Sequence, residues 1–93
     1  MQRESFDNVW DALESSPAEA ASMKMRSTLL IAIERQVREW ELTQAEAARR
    51  LGITQPRLND LLRGRIGNFS LDALIALARA AGLSVRLEID RAA

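Results

Sequence analysis

TQAEAARRLGITQPRLNDLLRG, residues 43–64, decides how this chain folds. Thr43 stands as an N-cap with Glu46 three residues later. In that arrangement each side chain satisfies an orphan backbone N–H at the start of a helix. Ala45, Ala47 and Ala48 follow, strong helix formers without bulk that let a second helix approach closely. Leu51 ends the apolar stripe, and Gly52 takes the left-handed position that stops a helix. Ile53 plugs the corner, and Thr54 caps a second helix. Pro56 sits in its first turn, where a missing N–H costs nothing. Leu58, Leu61 and Leu62 give this helix a buried stripe at i, i+3, i+4, and Gly64 and Gly67 punctuate its end.

Two short helices joined by a tight turn form a helix-turn-helix, a device that reads DNA. The second helix leaves Gln55, Arg57, Asn59, Asp60 and Arg63 outside its apolar stripe. Gln and Asn pair bidentately with adenine N6 and N7, and Arg with guanine O6 and N7 or with phosphate. The first residues of a recognition helix reach deepest into the major groove. Gln55 and Arg57, with Thr54 and Asn59 beside them, are therefore the expected base-reading residues. Gln44 and Thr43 open the preceding helix, whose free N–H groups and dipole suit a phosphate. Arg63, Arg65 and Asn68, at and after the end of the second helix, complete the expected phosphate contacts.

Gln44, Ala48, Gly52, Ile53, Gln55, Leu58 and Leu61 resemble the pattern of the phage-repressor class of helix-turn-helix, the XRE family. The resemblance implies that Gln44 contacts the DNA backbone and buttresses Gln55, which reads a base. A wider likeness runs through FDNVWDAL near the start, Lys24–Trp40, the turn unit, NFSLDALIALARAAG and a terminal VRLEI. In order and spacing these are similar to the HigA-type antitoxins and their single-domain relatives. That similarity implies a type II toxin–antitoxin module, a RelE/HigB-type ribonuclease toxin as partner, and repression of the protein's own operon.

Upstream of the turn unit, Phe6, Val9, Trp10 and Leu13 make one apolar face at helical spacing. Packing on the domain's own core explains that stripe; docking of a protein partner also does, and makes Phe6, Trp10 and Leu13 the candidate toxin contacts. Ser15-Ser16-Pro17 breaks and restarts the chain, with Ser16 as N-cap, Pro17 in the first turn and Glu19 behind it. The following helix runs to about Trp40 on a stripe of Met25, Leu29, Leu30, Ile33 and Val37, with Glu34 and Arg38 paired across one turn. Met23 and Met25 are expected to fill gaps in the core.

Downstream, RIGN reads as a loop, and Phe69 as its anchor in the core. Ser70 caps a helix that Gly82 stops. Val85, Leu87 and Ile89 then alternate with Arg86, Glu88 and Asp90, the period of a strand. A lone strand leaves its backbone unpaired, so its partner must come from another chain. The same segment of a second copy, antiparallel across a two-fold axis, would make Val85, Leu87 and Ile89 a dimerisation element; a toxin strand is the alternative.

The expected fold is all-α. A lambda-repressor-like helix-turn-helix core occupies residues 23–82, with an N-terminal helical extension over 1–22 and one C-terminal β-strand within 83–93. Ninety-three residues suit one domain, marginal alone and helped by dimerisation. The absence of Cys and His removes disulfides, thiolate or imidazole metal sites and the commonest general base. No catalytic residue, metal or cofactor is therefore expected. Neither a transmembrane run nor a signal-peptide pattern stands out, so no membrane partner and a cytoplasmic location are expected.

Net charge is zero, but its distribution is uneven. Residues 43–68 hold five arginines against two acids, and residues 1–20 hold five acids against one arginine. That asymmetry suits two partners of opposite sign, one of them nucleic acid. The function expected from these features is a dimeric, sequence-specific DNA-binding repressor, and the resemblance to HigA-type proteins implies that it acts as an antitoxin. A helical protein-interaction module, or a free-standing regulator without a toxin, is the alternative.

Overall fold

The computed structural model describes residues 16–92. The expected stripe and candidate toxin contacts Phe6, Trp10 and Leu13 lie outside the described residues, as does all of 1–15 within the expected 1–22 extension.

Among the described residues the chain forms four α-helices and one short 3-10 turn. Helix α1 spans Pro17–Trp40, α2 Gln44–Leu51, α3 Gln55–Leu62 and α4 Leu71–Ala80; the 3-10 turn η1 covers Ile66–Asn68. No helix among the described residues is long and apolar enough to cross a membrane. The starts of all four helices follow the expected caps. The Glu19 N–H donates to Ser16 Oγ at 3.0 Å, with Pro17 at the first helical position. Ala73 N–H donates in the same way to Ser70 Oγ at 3.1 Å. The pairing of Arg38 with Glu34 is present at 2.8 Å.

α1 packs chiefly against α4, and α2 against α3; α1 also touches α3 and η1. Leu30, Ile33 and Val37 of α1 meet Ala47, Ala48 and Leu51 of α2, Leu58 and Leu61 of α3, and Leu74, Leu77 and Ala78 of α4 in a single core. Ile33, Leu58, Leu61 and Leu74 are completely buried. Each such side chain removed from water contributes about 1.5–3 kcal/mol. Phe69 is buried among them and anchors the segment after α3, as its position implied. Ile53 and Leu62 are half-buried against the edge of this core.

Three expectations are corrected. Residues 83–92 form no strand, and no strand is present among the described residues. A strand exists through its ladder, and the described chain offers no second strand to pair with residues 84–90. Val85, Leu87 and Ile89 are instead exposed, the last two at 74% and 83%. Second, Met23 and Met25 do not fill the core: both are exposed. Helix geometry explains this, because α1 presents Leu30, Ile33 and Val37 inward while its first half extends past that core. Third, the RIGN segment is not wholly irregular; Ile66–Asn68 close a 3-10 turn.

Candidate nucleic-acid interface

The interface is built on the two ends of α2 and α3. At the start of α2, Glu46 N–H donates to Thr43 Oγ1 at 3.1 Å, and Thr43 N–H donates back to Glu46 Oε1 at 3.1 Å. This reciprocal pair is the expected capping box. The bond from the Thr43 backbone N–H, reinforced by the Thr43 hydroxyl and by Arg49, holds the Glu46 carboxyl below its ordinary pKa. The helix is short but steeply two-sided: Ala47, Ala48 and Leu51 are buried, while Gln44, Arg49 and Arg50 are exposed.

Gly52 then turns the chain at φ 77°, a left-handed conformation that costs an L side chain about 1–2 kcal/mol. Its N–H donates to the Arg49 carbonyl at 3.1 Å, and Ile53 N–H donates to the Ala48 carbonyl at 2.9 Å. These two bonds satisfy the Arg49 and Ala48 carbonyls in the last turn of α2 and set the entry to α3. Thr54 caps α3 by accepting from Arg57 N–H at 3.2 Å.

α3 carries three kinds of side chain on its outer surface. Gln55 is exposed and Asn59, one turn later, is half-buried; neither side chain has a hydrogen-bond partner among the described residues. Positions four apart lie on one face of a helix, so these two carboxamides form a continuous polar strip with Thr54 at its leading end. Arg63 is exposed just beyond the last turn.

Arg57 and Asp60 face the other flank, toward the segment after the helix. The Arg57 guanidinium lies over the Phe69 ring at 4.2 Å and donates from Nη1 to the Asn68 carbonyl at 2.9 Å. One bond from Nη1 and a stacked face leave the other N–H donors of Arg57 without a partner among the described residues. Asp60 accepts from Arg65 Nη1 at 3.3 Å and from Asn68 Nδ2 at 3.4 Å. Its own carbonyl accepts the Arg65 N–H at 3.0 Å. Two expected phosphate contacts, Arg65 and Asn68, are thus brought together beside the end of α3 by one carboxylate.

Asp60 and the clamp of Arg57 on Phe69 were missed as structural devices by sequence reasoning. Their partners lie across a turn from α3, outside any helical periodicity. Two further contacts escaped notice. Arg50 stacks on Trp40 at 4.2 Å, tying α2 to the end of α1. Arg26 bridges Glu19 at 3.0 Å and donates to the Phe69 carbonyl at 3.4 Å, fixing the loop anchor from its other side.

The candidate residues therefore fall into one surface with two parts. Gln55 and Asn59 make a strip of unpartnered carboxamides with the capping Thr54 at its leading end; Arg57, Asp60, Arg65 and Asn68 make a bonded flank. Gln44 and Thr43 lie at the N-terminus of α2.

A family model described as a helix-turn-helix domain matches residues 12–90. A search of curated proteins finds no match to this chain.

Proposed function

The chain belongs to the helix-turn-helix domain family, and from that premise we propose that it is a sequence-specific DNA-binding repressor. The family is of the DNA-binding regulator type. The observation that carries the proposal is the free carboxamide strip of Gln55 and Asn59 on a helix held firmly at both ends. Two unpartnered carboxamides one turn apart can each pair with an adenine edge in the major groove. Arg63 and the N-terminus of α2, with Gln44 and Thr43, would flank them on phosphates. Arg65 and Asn68 would contact the backbone from the loop, in the orientation that Asp60 gives them. Arg57 would take part in base reading through the guanidinium donors that the Asn68 carbonyl does not use.

The protein would act as a homodimer. The alternation of Val85, Leu87 and Ile89 supports this, as does the open backbone of the tail that carries them. Paired across a two-fold axis, the tails would set two α3 helices about 34 Å apart over successive major grooves. The likeness to HigA-type antitoxins, together with the acidic segment before α1, supports a further role. The protein would neutralise a RelE/HigB-type ribonuclease toxin and repress the operon that encodes both, in the cytoplasm.

Electrophoretic mobility shift with the DNA upstream of this gene, at two salt concentrations and against random-sequence competitor, tests the central claim. A band that survives competition and weakens as salt rises is expected, because phosphate contacts release counterions. Loss of the band to random DNA at equal concentration would leave the helices as scaffold and favour a protein-interaction module.

A further inference from the structure

Two arginines from different helices grip the segment that links η1 to α4. The Phe69 backbone is extended, at φ −129° and ψ 126°, and in an extended chain successive carbonyls point to opposite sides. The Asn68 carbonyl accepts from Arg57 Nη1 of α3 at 2.9 Å, and the Phe69 carbonyl accepts from Arg26 Nη1 of α1 at 3.4 Å. The Phe69 side chain is 1% exposed, and the Arg57 guanidinium lies 4.2 Å from the centre of its ring. Glu19, in the first turn of α1, accepts from Arg26 Nη2 at 3.0 Å. A continuous series of contacts therefore runs from the start of α1 to the flank of α3, through Glu19, Arg26, Phe69 and Arg57.

Stability is a weak explanation for Arg26. Its side chain is 13% exposed, its acid partner among the described residues is the 36% exposed Glu19, and its Nε is buried with no partner there. Removing a guanidinium from water offsets most of the attraction in such a pair, and well-packed apolar side chains often serve stability equally. The unpaired Nε adds a further cost. What a guanidinium does here, and an apolar chain could not, is hold a main-chain carbonyl. Its planar fork fixes direction as well as distance, because one Nη is committed to Glu19 and the other to Phe69. The Phe69 ring is packed in the core, so its ring and main chain are held together. Fixing the carbonyl of residue 69 thus fixes the platform under Arg57, and with it the direction of the Arg57 donors that remain free.

We infer that Arg26, oriented by Glu19, is a positioning residue for base reading, acting through Phe69 to preorient Arg57. A side chain already held in its bound direction loses less freedom on meeting a base, so the same contact gives more affinity. The inference rests on the reading of α3 as the DNA-recognition helix, and adds to it a residue of α1.

Arg26→Met keeps the length of the side chain and removes its donors. Without DNA, the Arg57 side-chain protons nearest the Phe69 ring are shifted upfield in the nuclear magnetic resonance spectrum, and Arg26→Met moves them toward random-coil positions while circular dichroism shows the helices intact. On the DNA site preferred by the unsubstituted chain, fluorescence anisotropy gives about 3- to 10-fold weaker binding for Arg26→Met. The loss falls at one base pair, the one where Arg57→Ala also relaxes choice, and it vanishes in the Arg57→Ala background. Equal loss of discrimination at the base pair that Gln55 reads overturns the inference, because general loosening of the domain then accounts for it. An Arg26→Met effect that persists in full beside Arg57→Ala also overturns it, as do Arg57 protons that do not move. If the unsubstituted chain shows no sequence preference, the reading of α3 has failed, and the proton shifts alone decide whether Arg26 orients Arg57. Should Arg26→Met not fold, Glu19→Ala removes the orienting carboxylate and gives the same pattern at smaller amplitude; a uniform loss across all base pairs rejects the positioning role.

Discussion

The turn unit and the tail place opposite demands on the rest of the molecule. Between residues 43 and 64 both helix starts are met by a threonine side chain and both helix ends by a glycine turn. The cap hydrogen bonds at these four ends all close within a few residues. In the tail, Leu83 N–H still donates to the Ala78 carbonyl at 2.9 Å, but no later backbone group is hydrogen-bonded among the described residues. Local chemistry is sufficient for the first region. The second has side-chain alternation without a ladder, so what it becomes depends on what meets it.

The comparison breaks most visibly in the core. Leu58 is completely buried on α3, whereas Leu87 in the tail is 74% exposed. Leu58→Ala should cost about 2–5 kcal/mol, the transfer term plus the cavity left behind. Leu87→Ala should change the monomer's stability by less than about 0.5 kcal/mol, as for an ordinary surface position. Urea unfolding at low protein concentration measures both. Comparable losses in the two variants would mean that the tail is as much a part of the folded body as α3.

The two regions also separate in DNA binding. Gln55→Ala should weaken binding to the preferred site by about 1–3 kcal/mol and relax selectivity at one base position. Leu87→Asp leaves every reading residue in place, and should weaken all cognate sites alike by separating the two halves of a dimer. Fluorescence anisotropy on a panel of single-base variants of the site distinguishes the two patterns. A uniform loss with Gln55→Ala would move base reading elsewhere on α3.

This contrast explains what could be read without a structure. The caps at Ser16, Thr43, Thr54 and Ser70, the turn at Gly52 and the buried stripe of α3 are all local, and each was legible from residue types at fixed spacing. Gln55 and Asn59 were legible for the same reason, since a helix with a known buried face also declares its exposed one. The strand was read from period alone, and period cannot supply a partner. Met25 was assigned to the core because it extends the stripe of α1, but that stripe continues past the elements that cover it. Asp60, Arg65, Asn68 and Arg57 converge only because the chain reverses after Gly64, and no helical or strand period spans a reversal.

Gly52 sharpens the claim that the turn unit is a matter of local backbone. A Cβ built there meets no atom within 4 Å, so there is room for a side chain. The cost of Gly52→Ala lies entirely in holding φ near 77°, and should be about 1–2 kcal/mol. Gly52→Asn should recover part of it, because Asn visits the left-handed region more readily. Equal losses for Ala and Asn, compared by thermal unfolding, would point to a packing role that the open space around Gly52 does not suggest.

The smallest expected effect isolates one cap. Thr43→Ala removes the hydroxyl that accepts from Glu46 N–H and should cost about 1 kcal/mol at neutral pH. It leaves the main-chain N–H of residue 43 in place. That N–H is the foremost cause of the lowered Glu46 pKa, ahead of the threonine hydroxyl. A carboxyl whose pKa is lower in the folded protein binds fewer protons there than in the unfolded chain. Its contribution is therefore full above the ordinary glutamate range and disappears as pH falls through the folded pKa. Thr43→Ala should accordingly lose stability at neutral pH yet keep most of the Glu46 contribution to acid sensitivity. Glu46→Gln should do the reverse: its amide oxygen can still accept the residue 43 N–H, but it has no proton to gain. Unfolding curves taken across the acid range for both variants separate the hydroxyl from the charge, and a full acid-side slope in Glu46→Gln would place its origin in another carboxylate.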